Sequence, residues 1–462
     1  MHVISILSGA RELAITHLFA IALLLVPLAD RLGAQSPTPP DPTAIVAARD
    51  RMAMRAPWPG FDPRAYPLAI FDGTRTVLVG HPAPPAPFVP VPGKLGYFVM
   101  PGRHPAVTAN SSDTIAGVMT ATVMPFGPRA TAAEIAGVTV HEAFHVYQRA
   151  KHPGWSANEA DAFTYSNTDV PGLAARRREY ALLRLALGTK GKGDATCHLA
   201  VALSERNQRF ARMNAEHAAY ERKSELNEGL AQYVQWRAMG VSDARAVPDS
   251  LPEPGAVRAH AYHVGPAWGR LLDRFAPHWR NTLGARDTLS LDALLLSAVG
   301  WVETERPRCG LPPELRTRID ADADHDVAQL KGMLAREREE FDRVPGPRLE
   351  VVADRALLMP MGFDPLNVAR VAAVTVLHKR YVQAGNRAGS IEVIGRQAMT
   401  EGAGAHPLFN GIKALTITGL DASFAVRATG DTTVISAVGV NGRFVRARVE
   451  RAGDTTRVLL AP

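Results

Sequence analysis

Two histidines and a glutamate stand close together in VTVHEAFHVYQ, residues 138–148. Residues four apart lie one above the other on a helix, so His141 and His145 would direct both imidazoles toward one point. This arrangement suits zinc, which takes histidine nitrogens at about 2.0 to 2.1 Å in tetrahedral sites. Glu142 would reach a water on that metal without being a ligand, and would accept its proton as the water attacks a carbonyl.

A catalytic zinc usually has three protein ligands, so one more is needed. Glu228, in LNEGLAQYVQW, is the preferred candidate, because a glutamate inside an apolar helix would otherwise be an uncompensated buried charge. Gly229 beside it would let two helices approach closely. Glu225 lies one turn earlier on nearly the same face and is the alternative third ligand.

The motif His141-Glu-Ala-Phe-His145, followed on a later helix by Glu228-Gly-Leu-Ala, resembles the gluzincin zinc metallopeptidases, the thermolysin-like branch whose third ligand is glutamate. The resemblance covers about residues 100–275. It implies that His141, His145 and Glu228 hold zinc and that Glu142 is the general base. Another branch, with Gly and His at the third and sixth positions after the second motif histidine, is excluded because Gln148 and Lys151 stand there.

The same resemblance implies a donor to the carbonyl oxygen on a segment downstream of the glutamate helix. AHAYHVGPAWGRLLD supplies Tyr262, which we prefer, and His263 as the alternative. The competing interpretation is that Tyr262 packs in the core and His263 merely starts a helix.

A zinc-bound histidine generally donates its other ring N–H to an acceptor. In gluzincins the acceptor often lies four residues after the ligand glutamate, where this chain has Gln232. Glu159 and Asp161, in NEADAF, are further candidates for this supporting role, although an exposed loop would also explain them.

The strand GVMTATV, residues 117–123, could be an edge strand that pairs with an extended peptide. In the aminopeptidase branch this strand carries Gly-x-Met-Glu-Asn, whose glutamate binds a free amino terminus. Gly117 and Met119 fit this pattern, but Thr120 and Ala121 replace the glutamate and the asparagine. The departure favours an endopeptidase over an amino-terminal exopeptidase.

Residues 1–34 have the pattern of a secretory signal peptide. Arg11 precedes the apolar run LFAIALLLVPLA, and Gly33 and Ala34 follow it. The run is shorter than the ~20 residues that span a bilayer, which favours cleavage over anchoring. We therefore expect a secreted or periplasmic protein. Cys197 and Cys309 are the only cysteines, and the sequence leaves open whether they form a disulfide or stay as two free thiols.

The pattern of predicted helices and strands along the whole sequence favours an α+β fold. It consists of a zincin-like catalytic domain, with a small β-sheet and a mainly helical lobe, followed by a C-terminal all-β domain. A leader and a short helix would occupy residues 35–60, the β-rich part 61–130, the helical part 131–345 and the β domain 350–462. Gly430-Asp431, Asn441-Gly442 and Gly453-Asp454 are the predicted hairpin turns of the β domain.

The composition is that of a soluble globular protein, with 46% hydrophobic and 21% charged residues. The net charge of +7 comes from scattered arginines without basic, aromatic-rich runs, so we expect no nucleic-acid partner. The sequence predicts a zinc metallopeptidase acting on peptides or proteins. The alternatives are a catalytically silent binding or scaffold protein that retains zinc, and a zinc hydrolase acting on another bond.

Overall fold

The computed structural model describes residues 40–124, 130–242, 253–255, 257–300, 309–364 and 367–461. Within these ranges the chain is mixed α+β, with a small sheet and a helical region followed by strands between residues 348 and 460. The predicted signal peptide lies outside the described residues. No helix in the described ranges combines the length and the apolar character needed to cross a membrane.

Six strands form a sheet ahead of the helix that carries the histidine motif. They are β1 Leu68–Phe71, β2 Arg75–Val79, β3 Val89–Pro90, β4 Tyr97–Pro101, β5 Ser111–Ile115 and β6 Val118–Val123, in the sheet order β3-β4-β2-β1-β6-β5. Leu68 and Ile70 on β1 face the main core, whereas Ala69 between them faces a smaller core on the other side.

The expectation that the strand over residues 117–123 is an edge strand is wrong. β6 pairs with β1 in parallel and with β5 in antiparallel orientation, so it has partners on both sides. β5 forms the edge instead. Its sequence, SSDTI, lacks an apolar or aromatic run, which is why pattern reading missed it.

The histidine motif lies on a long helix, α2 Ala132–Lys151, which covers the stretch AAEIAGVTVHEAFHVYQRAK that helical periodicity predicts. Thr131, followed three residues later by Glu134, predicts a capping box, and it is present: Thr131 Oγ1 accepts from the Glu134 N–H, and the Glu134 carboxylate accepts from the Thr131 N–H. Ile135, Val140 and Phe144 on this helix belong to the main hydrophobic core. The capping box therefore fixes where α2 begins, and the core residues fix which face of it is buried.

The helical region contains further elements besides α2. They are α1 Pro42–Ala53, α3 Glu159–Thr164, α4 Val170–Gly188, α5 Lys192–Phe210, α6 Ala215–Ser224, a π-helical turn Glu225–Gly229, α7 Leu230–Met239, α8 Val257–Phe275, α9 Trp279–Gly284, α10 Leu291–Val299 and α11 Pro313–Arg343. α6, the π turn and α7 follow one another without a break. Helical periodicity alone instead predicts one helix over 197–223 and a separate one over 226–239.

The break between α5 and α6 has a physical reason that hydrophobic periodicity does not show. Arg206 on α5 donates to Glu225 at 2.7 and 2.9 Å, and Arg209 donates to Glu179 at 2.9 Å and also to Glu221. These groups are buried, and buried charges must be paired. Only a chain reversal after α5 brings its arginines against the glutamates of the following helix.

Cys197 and Cys309 form a disulfide that links α5 to the segment preceding α11. The two cysteines are 112 positions apart, so the bond constrains a long loop of the unfolded chain. We expect the double variant Cys197→Ser/Cys309→Ser to lose up to about 4 kcal/mol of unfolding free energy. Urea denaturation would measure this, with reduced wild-type protein as the control. Equal midpoints for oxidised wild type and variant would contradict the expectation.

The C-terminal strands form two sheets around a core of their own. The strands are β7 Arg348–Val352, β8 Met359–Phe363, β9 Val368–Ala372, β10 Thr375–His378, β11 Tyr381–Asn386, β12 Gly389–Ile394, β13 Ala398–Gly402, β14 Ile412–Ile417, β15 Ala425–Thr429, β16 Thr432–Ala437, β17 Val440–Val445, β18 Ala447–Ala452 and β19 Thr455–Leu460. One sheet has the order β18-β19-β7-β14-β13-β10-β9, and the other β15-β16-β17-β12-β11-β8.

Two of the three predicted hairpin turns are confirmed. Gly430-Asp431 joins β15 to β16, and Gly453-Asp454 joins β18 to β19. Each forms a two-residue loop between directly paired residues, as expected for turns built on glycine.

The third predicted turn, Asn441-Gly442, is wrong, because both residues lie inside β17. The chain turns earlier, at Val438-Gly439, where Gly439 has φ +72°. A Cβ on Gly442 would come within 3.3 Å of both Ile391 and Ile435, so this glycine serves close packing and not a turn.

Candidate metal centre

His141, His145 and Glu228 come together between α2 and the π turn. The two Nε2 atoms are 3.0 Å apart, and Glu228 Oε2 lies 3.6 Å from that of His141 and 3.3 Å from that of His145. One ligand atom from each residue falls within 4.8 Å of the others, and the group is buried. The geometry therefore brings together the three residues predicted from sequence, and this group could hold a metal ion.

The π turn sets the direction of Glu228. Such turns add one residue to a helical turn and shift the side chains that follow, and they occur often at functional sites. Glu225–Gly229 is the π turn, and Glu228 lies within it, buried at 3% exposure. The sequence pattern predicted a regular helix here and gave no sign of the wider turn.

Gly229 allows a close approach between helices, but the helix that approaches this turn is α8 and not the motif helix α2. A Cβ at Gly229 would lie 2.9 Å from Gly265 Cα and 3.0 Å from the Ala261 carbonyl oxygen. Any larger side chain would push the helices apart. The crossing places Arg258 and Tyr262, which precede Gly265 on α8, against Glu228.

Gln148 orients His145. Its amide group donates to the carbonyl oxygens of Leu226 at 2.8 Å and Asn227 at 3.0 Å, so its Oε1 faces the imidazole. His145 Nδ1 lies 2.8 Å from that oxygen and must be the donor. Its Nε2 is thereby directed toward His141 and Glu228, as a metal-binding histidine requires. Sequence reasoning used Gln148 only to exclude a branch and missed this role.

His141 is held differently from His145. Its ring stacks on Tyr262, with centroids 5.8 Å apart and planes 6° from parallel. Its buried Nδ1 has no hydrogen-bond partner within the described ranges. The expectation that Gln232 accepts from a ligand histidine is therefore wrong for His141, and the corresponding acceptor for His145 is Gln148.

Glu228 is held on both carboxylate oxygens. Arg258 Nη2 donates to Oε1 at 2.5 Å, and the Tyr262 hydroxyl donates to Oε2 at 2.5 Å. Burial would raise the pKa of Glu228, but the adjacent His145, hydrogen bonds from both histidines and Arg258 together hold it well below its usual range. The carboxylate is thus ionised at neutral pH and suited to bind a cation. Arg258 was not predicted from sequence.

Glu142 is buried beside the two imidazoles, with 6% of its surface exposed. Burial raises the pKa of its carboxyl above the usual value, and the nearby histidines offset part of that effect. A raised pKa brings a carboxylate closer to the range in which it can take and return a proton near neutral pH.

The two predicted donors on α8 have different positions. Tyr262 reaches Glu228 and stacks on His141, so it is at the centre. His263 packs beside Tyr180, with ring centroids 6.2 Å apart, and it does not begin a helix because α8 starts at Val257. One residue further along a helix is about 100° further around it, which explains why the neighbours face different ways.

The remaining candidates lie outside the group of three. Glu225 is bound to Arg206, which removes it as an alternative ligand. Glu159 lies behind Arg258, 3.8 Å from its Nε, whereas Asp161 accepts from Asn158 at the start of α3. Of the two, only Glu159 is connected to the centre.

The protonation of His145 makes metal binding sensitive to pH. Burial would lower its pKa, but the Glu228 carboxylate outweighs burial and raises the pKa from 6.5 to about 8. A metal must displace this proton, so we expect metal affinity to fall about tenfold for each pH unit below 8. In the metal-free protein this group contributes stability below pH 6.5 that is lost as pH rises through 8.

Chelator competition between pH 6 and 9 measures the affinity. As a control, the affinity of the same metal for a chelator that binds only through oxygen atoms is calibrated at each pH. This calibration corrects for protons that compete for the chelator itself. An affinity that stays constant from pH 6.5 to 8 would contradict the expectation.

No family model, no curated protein and no solved structure matches this chain.

Proposed function

We propose that this protein is a zinc metallopeptidase of zincin-like fold that cleaves peptide bonds with Glu142 as general base. The observation that carries the proposal is the convergence of two imidazole nitrogens and one carboxylate oxygen within 4.8 Å, at residues chosen from sequence spacing. Two nitrogens and one oxygen form a donor set typical of catalytic zinc, which keeps a further position for water or substrate.

The residues that would hold zinc are His141, His145 and Glu228. Zinc bound there would polarise a carbonyl and make a water molecule more acidic. Glu142 would accept the proton of the attacking water and pass it to the leaving amine. Tyr262 would release its hydroxyl proton from the hydrogen bond with Glu228 Oε2 and donate it in a hydrogen bond to the developing oxyanion.

The β5 edge supports a peptide substrate. β5 follows the outer side of β6 and both strands pack against α2. The Arg149 side chain, one turn after His145, donates to the Ser112 carbonyl oxygen at 3.2 Å and ties this edge to the motif helix. An extended peptide could add to β5 by main-chain hydrogen bonds.

The Cys197–Cys309 disulfide supports a secreted or periplasmic location, because such bonds persist in oxidising compartments. The N-terminal 34 residues, with their short apolar run, support the same location.

Burial of the centre favours a second candidate, a catalytically silent binding or scaffold protein that retains zinc. His141, Glu142 and Glu228 are each less than 7% exposed. The Arg258 side chain, which is half exposed and touches Glu228, connects the centre with the surface. A substrate could enter on that side.

A library of quenched fluorescent peptides, incubated with the protein with and without chelator, separates the candidates. Cleavage that stops with chelator and returns with added zinc supports the peptidase. Bound zinc without any cleavage supports the silent protein or a hydrolase of another bond. A panel of ester and amide substrates distinguishes these two.

A further inference from the structure

We propose that the C-terminal β-sheets position the metal ligand Glu228 through helix α3 and Arg258. This inference rests on the metal site of the proposed function, but not on peptide cleavage. It assigns a role to Glu159, His406 and Arg370, none of which contacts the three ligand residues directly.

The first link is the hold of Arg258 on Glu228. Arg258 Nη2 lies 2.5 Å from Glu228 Oε1 and leaves Oε2 facing the histidines. A guanidinium on one oxygen fixes the rotation of the carboxylate and therefore the direction of the other oxygen. Half of the Arg258 side chain is exposed, so a contact on its outer side can add to the hold that Glu228 provides.

The second link is Glu159, at the start of α3. Its Oε1 lies 3.8 Å from Arg258 Nε, and its Oε2 accepts from the Tyr220 hydroxyl at 3.1 Å. Tyr220 is 1% exposed and fixes Glu159 from the core side. An exposed ion pair of this kind contributes little by itself, so its effect depends on how firmly α3 is held.

Helix α3 depends on its neighbours for stability. It has six residues, none of them fully buried, and a helix of this length is not stable alone in water. On the core side, Thr164 hydrogen-bonds to His217 at 2.9 Å. Helix α6 also packs against it, and Ala162 lies beside Tyr165 and Tyr220. Further support comes from the C-terminal region.

Three side chains of the C-terminal region hold α3 and the residue that follows it. His406 Nε2 lies 3.0 Å from the Ala160 carbonyl oxygen, and Arg370 Nη2 donates to the Tyr165 carbonyl oxygen at 2.8 Å. Phe363 on β8 packs edge-on against Phe163, with centroids 5.6 Å apart.

The tautomer of His406 is set by its surroundings. Its Nδ1 accepts from the backbone N–H groups of Leu408 and Phe409 at 3.1 and 2.9 Å. Nε2 must therefore carry the proton and donate to Ala160. The loop holds this imidazole in one orientation, which makes the contact with α3 directional.

The test is zinc affinity, measured by competition with a chromophoric chelator on the full chain. Arg258→Ala should weaken zinc binding roughly 10- to 100-fold, as expected for a group that touches a ligand, and Arg258→Lys should restore part of it. The double variant Arg370→Ala/His406→Ala should weaken zinc binding by about fivefold, a smaller effect, because these residues act on Arg258 only through α3. In the Arg258→Ala background the same pair of substitutions should have no further effect.

Arg451→Ala is the matched control. Arg451 donates to the Val426 carbonyl oxygen at 2.9 Å inside the C-terminal region, much as Arg370 donates to Tyr165, but it does not contact α3. Its zinc affinity should equal that of the wild type even where its melting temperature falls. The visible spectrum of the cobalt-substituted protein gives a second readout, which should shift in the Arg370→Ala/His406→Ala variant and not in Arg451→Ala.

Wild-type zinc affinity in Arg258→Ala or in the double variant would overturn the inference. So would an effect of the Arg370 and His406 substitutions that is equally large with and without Arg258. If wild-type protein binds zinc but cleaves no peptide, only the proposed peptidase function is overturned. If wild-type protein binds no zinc, both the proposed function and this inference are overturned.

Discussion

Glu142→Gln is expected to abolish peptide hydrolysis while zinc remains bound at wild-type stoichiometry. Glutamine has nearly the same shape as glutamate but cannot accept a proton from water. Loss of a positioned general base lowers rates by about 10²- to 10⁴-fold, which would bring turnover close to background. Initial rates on the best library peptide, together with metal content, measure both parts of the prediction.

Glu134→Gln is the control for that experiment. It makes the same change on the same helix, at the capping box, where glutamine can replace glutamate. This variant should keep full activity. Hydrolysis that persists in Glu142→Gln would remove Glu142 from the mechanism, and loss of zinc would assign it a structural role instead.

Glu228→Gln is expected to weaken zinc binding by at least ~100-fold. The variant removes the only carboxylate oxygen within reach of both Nε2 atoms in the described part of the chain. It also removes the buried negative charge that pairs with Arg258, so the positive charge beside the metal position would be less compensated. Isothermal titration with zinc, or chelator competition, gives the affinity.

Glu225→Gln distinguishes Glu225 from Glu228 as the third metal ligand. Glu225 is bound to Arg206, so we expect this variant to lose stability but to bind zinc like the wild type. Weak zinc binding in Glu225→Gln, combined with normal binding in Glu228→Gln, would contradict our assignment of the ligands.

The metal motif was accessible to sequence reasoning because its geometry is local. His141, Glu142 and His145 lie within one turn of a helix whose capping box and apolar face both appear in the sequence. Helical spacing alone then determines how the side chains are arranged. Glu228 could be predicted because a charged residue in an apolar segment requires a partner.

The surroundings of the motif depend on contacts between distant segments, which no local pattern records. Arg258 is one arginine among many in the sequence, and only the close crossing at Gly229 and Gly265 brings it to Glu228. Gln148 likewise becomes an orienting group only because the π turn presents two carbonyl oxygens to it.

The errors in strand assignment have a similar origin. β5 was missed because an exposed edge strand needs no apolar run. The Asn441-Gly442 pair has the composition of a turn, but packing of Gly442 between two isoleucines sets the register of β17 and moves the turn to Val438-Gly439.

A crystal structure of zinc-loaded protein, with anomalous data on both sides of the zinc absorption edge, would show directly whether His141, His145 and Glu228 bind one zinc ion. We expect one strong anomalous peak at bonding distance, about 2.0 to 2.2 Å, from His141 Nε2, His145 Nε2 and a carboxylate oxygen of Glu228, with at least one further position left for water. A zinc-loaded crystal with no peak between these residues, or with Glu228 turned away from a metal held by other groups, would contradict this expectation.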